Sequence, residues 1–371
     1  MRRWAKGVGL VLVALVAAQC STGASRRAAP AASTTTLQPP PTVAAHGATF
    51  DACMVTDVAG INDRSFNASA YQGLEDARNA NAAIRIHELQ ATSPSDYATD
   101  VNTFVQSNCG IVITVGYSLG DATEAAARSY PDREFAIVDD TSMAPLPNVK
   151  ALVFDTAQAS FLGGYLAAGM SRTGVVATFG GERLPPVTTS MDGFWEGVQY
   201  YDGAHQSGVR VLGWDEKSQS GTFDGSFTDQ AKAAQVAQAF VQRGADVIFP
   251  VAGGAGLGAA AAVQRSAPGV HLLWPDADGC LTAPQYCGLF LSSVTKGIAA
   301  AVARVIGAAA RGRFQGGQVV GTLANGGVGL APFHDLQALV PPALQQELDQ
   351  VRQAIIGGSV TISSPSQPDE G

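Results

Sequence analysis

The residues with the clearest capacity for ligand chemistry form a polar loop that runs from Asp57 to Asn67. Besides these two residues the loop contains Asn62, Asp63 and a single phenylalanine, Phe66. It follows an apolar run that predicts a strand and precedes an amphipathic run that predicts a helix. A plain turn needs only one or two such side chains. Because open α/β sheets bind ligands at the carboxyl ends of their strands, the loop is predicted to bind a ligand.

Other polar residues and glycines also follow predicted strands. Together they suit a small polar ligand with a planar part, although a role in a turn or a helix cap is open for each one. Lys296 lies near the start of a predicted helix, where the helix dipole disfavours a cation. A strand-end aspartate or ligand hydroxyls would offset that cost, and an exposed, solubilising lysine is the alternative. The candidate residues outside the loop are Gly116, Asp139, Phe223, Gly254, Asp276 and Lys296.

The sequence contains no arrangement that is typical of catalysis. It has no Gly-x-Ser-x-Gly elbow, and no histidine or cysteine lies in an activating motif. The histidines are far apart and lack ligand spacing, so no metal site is predicted. Glycines at 253–258 lie between a predicted strand and a predicted helix, but their spacing is not that of a pyrophosphate-binding loop. We therefore expect binding without turnover and without a cofactor.

Two series of alternating strands and helices are predicted to position these residues. Near-continuous apolar runs indicate parallel strands, and apolar residues at helical spacing separate them. The second series begins at Gly174. The fold class is therefore α/β, with two doubly wound parallel-sheet lobes joined by a hinge. Such lobes would hold the ligand between their facing strand ends.

Composition and pattern also predict the limits of each part. Residues 1–20 have a basic start and a short apolar run, as in a signal peptide. Residues 21–47 are rich in Ser, Thr, Ala and Pro and predict a flexible tether. The remaining predicted parts are lobe 1 at 48–155 with a return segment at about 289–320, lobe 2 at 156–288 with part of 321–358, and a flexible tail at 359–371.

Two glycines lie inside the predicted helix at 157–170. Gly163 and Gly164 should cost the helix about 1 kcal/mol each relative to alanine. Close packing against another backbone is the expected compensation.

The net charge of -8 argues against nucleic acid as a partner, because phosphate neutralisation needs a basic face. A hydrophobic fraction of 46% with 15% charged residues suits a globular protein.

The cysteines predict disulfides. Apart from Cys20, which lies at the end of the predicted signal peptide, the chain has an even number of cysteines, and exported proteins commonly pair theirs. Neighbouring strand starts predict a Cys53–Cys109 pair, and a short loop predicts Cys280–Cys287; buried free thiols are the alternative.

Cys20 resembles the lipidated cysteine of bacterial lipoproteins, although Gln19 stands where a small residue is usual. Lipidation would anchor the chain to the extracytoplasmic face of the cell membrane. Simple cleavage nearby would instead leave a secreted protein.

Several segments together match a known family: 57–73, 130–132, 135–139, 148–149, 161–168, 193–198, 252–256 and 291–296. They resemble the basic membrane protein family of bacterial lipoproteins. The resemblance covers most of residues 51–335 and implies a type I periplasmic-binding-protein fold. The family consists of substrate-binding components of ABC importers, and its best understood members bind purine nucleosides.

The resemblance also implies roles for individual residues. Phe66 and Phe223 would stack on opposite faces of the purine, with Asn67 and the Asp57–Asp63 loop nearby. Asp139 would bond the edge of the base, whereas Asp276 and Lys296 would hold ribose hydroxyls. Gly254 would offer backbone groups.

The implied partners are a nucleoside, the subunits of an ABC permease and, through the anchor, the membrane. The chain itself is expected to be a monomer. Two alternatives are open: a receptor for another small polar ligand, such as a sugar or an autoinducer-like furanose, and an exported enzyme that acts on nucleosides.

Overall fold

A computed structural model describes residues 49–141, 146–266 and 268–368 of the chain. The predicted signal peptide, tether and Cys20 lie outside the described residues. The strands are β1 (Phe50–Thr56), β2 (Ile84–Gln90), β3 (Ile111–Val115), β4 (Phe135–Val138), β5 (Val149–Phe154), β6 (Val175–Gly180), β7 (Arg210–Leu212), β8 (Trp214–Asp215), β9 (Ser220–Gly221), β10 (Val247–Val251), β11 (His271–Asp276), β12 (Phe290–Lys296), β13 (Gly317–Gly321) and β14 (Val328–Leu330). The α-helices are α1 (Phe66–Ala80), α2 (Tyr97–Gln106), α3 (Gly120–Ser129), α4 (Thr156–Met170), α5 (Pro185–His205), α6 (Gln230–Gln242), α7 (Gly256–Gln264), α8 (Gly279–Thr282), α9 (Ile298–Ala309) and α10 (Pro342–Ile356).

Twelve of the described strands form two six-stranded sheets, one in each lobe, and β8 and β9 form a separate antiparallel pair. The first sheet has the order β13-β5-β4-β3-β1-β2, and all of its strands are parallel. The second has the order β14-β12-β11-β10-β6-β7, in which only β14 is antiparallel to its neighbour. Both faces of a parallel sheet are covered by other elements, and the near-continuous apolar runs of the sequence meet this requirement. The predicted α/β class with two parallel-sheet lobes is confirmed.

The chain returns to the first lobe later than predicted. Strand β12, at the start of the predicted return segment, belongs to the second sheet and pairs with β11. Leu291 and Val294 of β12 are buried in the core, so the apolar run is needed in the second lobe. The crossing follows Lys296: α9 packs against α1, and β13 pairs with β5. An apolar run does not state which of two similar sheets it joins, and this is why the boundary at residue 289 was wrong.

Glycines allow α4 and α5 to approach each other closely. A Cβ at Gly164 would collide with the carbonyl oxygen of Phe194 on α5. In the opposite direction, a Cβ at Gly197 would collide with the carbonyl oxygen of Phe161 on α4. The predicted compensation for glycine inside this helix, close packing against another backbone, is confirmed.

The structure joins the cysteines in two pairs. Cys53 of β1 pairs with Cys109, which lies just before β3, with their Cα atoms 6.0 Å apart. Cys280 and Cys287 close a short loop after β11, with a Cα separation of 4.5 Å. The first pair joins the middle of β1 to the residues just before its neighbour β3.

The described part of the C-terminal segment, which was predicted to be a flexible tail, is hydrogen-bonded to the rest of the chain. Ser364 Oγ donates to Asp192 Oδ2 at 2.6 Å, and Gln367 Nε2 donates to Asp155 Oδ2 at 2.7 Å. The backbone N–H of Ser363 reaches the Glu196 carboxylate at 3.2 Å. A polar composition favoured disorder in the prediction, but these polar groups have buried acceptors on α5 and before α4.

Glu196, which accepts the hydrogen bond from Ser363, should make the stability of the folded chain depend on pH. Burial raises the pKa of Glu196 to about 7. The folded chain therefore holds this proton more tightly than the unfolded chain, and the stability present at low pH is lost as the pH rises through about 7. We expect Glu196→Gln to match the wild-type melting temperature at pH 4 and to exceed it at pH 8. Exposed Glu88→Gln is the control, and an equal difference at both pH values for Glu196→Gln would contradict the prediction.

Candidate ligand-binding cleft

A cleft lies where the carboxyl ends of the two sheets face each other. It contains ≈ 590 Å³ of empty space, part of which is open to solvent. The lining residues are Asp57, Ala59, Asp63, Phe66, Asn67, Gly116, Tyr117, Ser118, Asp139, Leu184, Pro186, Val187, Phe227, Val251, Gly253, Asp276 and Lys296.

A buried lysine between two aspartates occupies one end of the cleft. Lys296 Nζ lies 2.6 Å from Asp139 Oδ2 and 3.2 Å from Asp276 Oδ1. The lysine side chain is only 5% exposed. Burial alone would lower the pKa of Lys296, but the carboxylates of Asp139 and Asp276 raise it above its ordinary value. The ammonium group is therefore charged, and the predicted partnership with a strand-end aspartate is confirmed.

The same cluster changes the expected place of Asp139. The resemblance implied a role at the edge of the base, apart from Asp276 and Lys296. In the structure Asp139 contacts Lys296 directly, so all three belong to one end of the cleft. Burial raises the pKa of the Asp139 carboxyl, and the charge of Lys296 opposes that rise.

Both aspartates of the cluster have unusual backbone conformations. Asp139 has φ 63° and Asp276 has φ 66°, in the left-handed region that few residues other than glycine adopt. Such strain persists where the surrounding structure fixes a side chain in place, and it is concentrated at ligand sites.

Phe66, the first residue of α1, lies beside this cluster. Its ring centroid is 5.1 Å from Lys296 Nζ. Gly116 leaves room next to it: a Cβ there would be 3.3 Å from Asp57 Oδ2 and 3.7 Å from Phe66 Cε1. Gly116 also has φ 113°, a conformation that side chains rarely allow. One face of the cleft is therefore an aromatic ring bordered by carboxylates.

The side-chain amide of Asn67 has one unused polar atom. Its Nδ2 donates to Asp57 Oδ1 at 2.8 Å and to Asp63 Oδ2 at 3.3 Å. Ionised carboxylates only accept hydrogen bonds, so these contacts fix the orientation of the amide. Asn67 Oδ1 is buried and has no hydrogen-bond partner among the described residues. A buried acceptor without a partner costs free energy.

Asp63 has a structural task as well as a place in the cleft. Its carboxylate accepts the backbone N–H groups of Ser65, Asn67 and Ala68, which holds the start of α1. Burial raises the pKa of Asp63 to about 6. Asn62, by contrast, is exposed and does not line the cleft. The structure thus brings most of the predicted loop to the site but leaves Asn62 outside.

The second aromatic residue of the cleft differs from the predicted one. Phe223 packs against Gly180 and makes an edge contact with Trp214, with ring centroids 6.0 Å apart. Phe227, four positions later, lines the cleft instead. The physical reason is that Phe223 is paired with Gly180 in a β-bridge, and its ring packs against Gly180 and Trp214. Spacing along the sequence does not distinguish two phenylalanines in one loop.

In the glycine segment, the residue that lines the cleft is one position earlier than the predicted one. Gly253 lines the cleft, whereas Gly254 is buried at the contact between the lobes. A Cβ at Gly254 would lie 3.3 Å from Asp63 Cα. Gly254 therefore permits the lobes to approach each other.

Two hydrogen bonds that the sequence did not predict join the lobes at the cleft. Ser65 Oγ donates to Asp276 Oδ2 at 2.7 Å, and Trp274 Nε1 donates to the carbonyl oxygen of Arg64 at 3.0 Å. The sequence contained two features that could have indicated these bonds, the hydroxyl group of Ser65 in the polar loop and Trp274 near a strand end. The loop before α1 thus contacts the opposing lobe through Asp276, a member of the lysine cluster.

Comparison with solved structures defines the class of this fold. A solute-binding protein of an ABC transporter from Aeropyrum pernix K1 superposes with a TM-score of 0.77 at 23% identity, covering 85% of this chain and 94% of that chain. One from Conexibacter woesei gives a TM-score of 0.65 at 19% identity, covering 85% and 99%. The structure is therefore of the type I periplasmic-binding fold that ABC solute-binding proteins share.

The family follows from the sequence. Residues 50–366 match the model of the Bmp family, described as ABC transporter substrate-binding protein PnrA-like, and the chain belongs to this family. A relative named nucleoside-binding protein BmpA, from Lactococcus lactis, is 29% identical over 84% of this chain and 89% of its own length. Basic membrane protein A from Borreliella burgdorferi is 26% identical over 82% and 85%.

Membership fixes the general role. Proteins of this family are solute-binding components of ABC transporters, and the substrate-binding proteins of ABC importers act outside the cytoplasm. Among the described helices, none combines the length and apolarity needed to cross a membrane.

Proposed function

We propose that the chain captures a nucleoside between its two lobes and delivers it to an ABC permease. The observation that carries the proposal is the position of Phe66 beside the buried Asp139–Lys296–Asp276 cluster. An aromatic ring and a cluster of charged hydrogen-bonding groups match the two halves of a nucleoside, a planar base and a sugar with vicinal hydroxyls. The name of the Lactococcus relative, a nucleoside-binding protein, supports the same assignment.

Each half of the nucleoside has its own contacts in this proposal. The base lies between Phe66 and Phe227, where stacking contributes about 1–3 kcal/mol. Asn67, whose amide orientation is fixed by Asp57 and Asp63, lines the cleft beside the edge of the base. The sugar hydroxyls bond Asp276, Lys296 and Asp139, so Asp139 is assigned to the sugar end.

Charge favours a nucleoside over a nucleotide. Lys296 is the only cation among the described lining residues, and four aspartates share the cleft with it. Its ammonium group already pairs with two of them. A phosphate would enter a site with no free cation and would be repelled by buried carboxylates.

The proposed mechanism is binding without turnover. The ligand bridges loop residues of lobe 1 and Asp276 and Lys296 of lobe 2, so it favours the closed arrangement of the lobes. Occupancy is signalled to the permease only if the ligand binds the closed state more tightly than the open one. We include in the proposal a lipid anchor at Cys20, which would hold the receptor next to the permease.

A thermal-shift panel on ligand-free, refolded protein tests this function. Inosine, guanosine or adenosine is expected to raise the melting temperature, because a ligand at 100 times its Kd stabilises the folded state by about 2.7 kcal/mol. Cytidine, AMP, ribose and arabinose are the comparison ligands. A shift with a sugar and none with any nucleoside would overturn the proposal. Release of free base from inosine, detected by chromatography, would favour the enzyme alternative.

A further inference from the structure

A second cavity lies in lobe 1 and shares no lining residue with the ligand cleft. One wall is α9, another is formed by β5 and β13, and the segment that follows α9 closes it. The cavity has ≈ 980 Å³ of empty space, including a part open to solvent. We propose that it binds a small amphiphilic anion, a molecule with a carboxylate or phosphate head and a short apolar body.

Three cations border this cavity: Lys150 of β5, Arg304 of α9 and Arg313. No aspartate or glutamate is among the described residues that line it. None of the three cations forms an ion pair within the described part of the chain. In a chain with a net charge of -8, they give the lining of this cavity a local positive charge.

Lys150 is the most informative of the three. It lies on the same face of β5 as Leu152 and Phe154, which belong to the core. Its Nζ donates to the carbonyl oxygen of Gly316 at 3.3 Å, and burial lowers the pKa of its ammonium group. A partly buried ammonium without an acidic partner costs free energy, which a bound anion would recover.

The remaining walls indicate the other part of the ligand. Leu152, Phe154, Val305 and Val319 give the cavity an apolar floor. Val319, on the edge strand β13, is 41% exposed. An anion with no apolar part would leave the exposed part of Val319 in water. An alkyl or aryl group attached to the anionic head would cover it.

The first test uses the dye 1-anilinonaphthalene-8-sulfonate and its uncharged analogue N-phenyl-1-naphthylamine on the folded protein. The sulfonate dye is expected to bind, and Arg304→Gln/Arg313→Gln to weaken its binding about ten-fold or more without affecting the uncharged analogue. Arg210→Gln, an exposed arginine of lobe 2, is the matched control. Equal binding of the sulfonate dye to the wild type and the double variant would overturn the proposal.

The second test identifies the source of the anion. Decanoate or octyl phosphate in solution should displace the dye if the ligand is a soluble organic anion. Phosphatidylglycerol vesicles, but not phosphatidylcholine vesicles, should displace it if the head belongs to a membrane lipid. Displacement by neither would mean that the dye alone fits the cavity, and the proposal would fail.

The third test separates binding from a structural role of Lys150. Lys150→Met should melt at a higher temperature than the wild type without an anion, because the uncompensated charge is gone. Decanoate should raise the melting temperature of the wild type but not that of the variant. If decanoate raised the melting temperature of both proteins equally, the assignment would be contradicted. Inosine should leave the affinity for the dye unchanged in the wild type and in the variant.

Discussion

Lys296→Met is expected to abolish nucleoside binding and to lower the free energy of unfolding by about 3–5 kcal/mol at pH 7. Methionine keeps the apolar stem of the side chain but leaves Asp139 and Asp276 buried without their cation. The free energy of unfolding is measured by urea denaturation and the affinity by calorimetry. Lys296 has two roles, contact with the ligand and compensation of two buried carboxylates. The prediction therefore requires both a loss of binding and a loss of stability.

The pH dependence of this variant provides a further check. Without Lys296, the pKa of Asp139 rises further, because the charge that opposed the effect of burial is absent. A carboxyl with a raised folded-state pKa loses its stabilising contribution as the pH rises. The stability difference between the variant and the wild type should therefore shrink as the pH falls toward 4. Lys232→Met on exposed helix α6 is the control, and an unchanged stability for Lys296→Met would contradict the description of the cluster.

Phe66→Ala is expected to weaken nucleoside binding by roughly 5- to 150-fold, the equivalent of about 1–3 kcal/mol of lost stacking. Phe66→Tyr, which keeps an aromatic face, should retain most of the affinity. The ring begins α1 and packs against the core without being fully buried, so the variant should fold. Circular dichroism and a melting curve establish that it does. Full affinity in a folded Phe66→Ala protein would remove the ring from the site.

The opposing face of the base is decided by a matched pair of variants. Phe227→Leu should weaken binding by a similar factor, because Phe227 lines the cleft. Phe223→Leu should leave the affinity of the folded protein unchanged, because that ring packs against Trp214 and Gly180. The reverse outcome would restore the role that the sequence resemblance implied for Phe223.

The fold was predictable because its signals are local and repeated. Apolar runs such as Ile111–Val115, which is buried along its whole length, identify parallel strands without knowledge of their neighbours. The sequence predicted that Lys296 has an aspartate partner, because a cation near the start of a helix needs a nearby negative charge. One partner, Asp139, follows a strand 157 positions away in sequence, and the other, Asp276, ends the neighbouring strand β11.

The remaining features depend on contacts that a sequence does not state. Membership of β12 in the second sheet rests on its pairing with β11. The choice of Phe227 over Phe223 rests on one β-bridge. The described tail is held by acceptors on α5 and before α4, and the bond between Ser65 and Asp276 needs the two lobes together. Each of these is a long-range contact made by residues whose types alone permit several alternatives.

The central claim is that a nucleoside occupies the cleft between the lobes, with the base on Phe66 and the sugar on the Asp139–Lys296–Asp276 cluster. Isothermal titration calorimetry of the ligand-free protein with inosine, guanosine, adenosine and cytidine, repeated with Phe66→Ala, tests it most directly. We predict saturable heat at one site for at least one purine nucleoside and a weakened or absent signal for the variant. The absence of binding heat with all four nucleosides, in a protein shown to be folded, would contradict the claim.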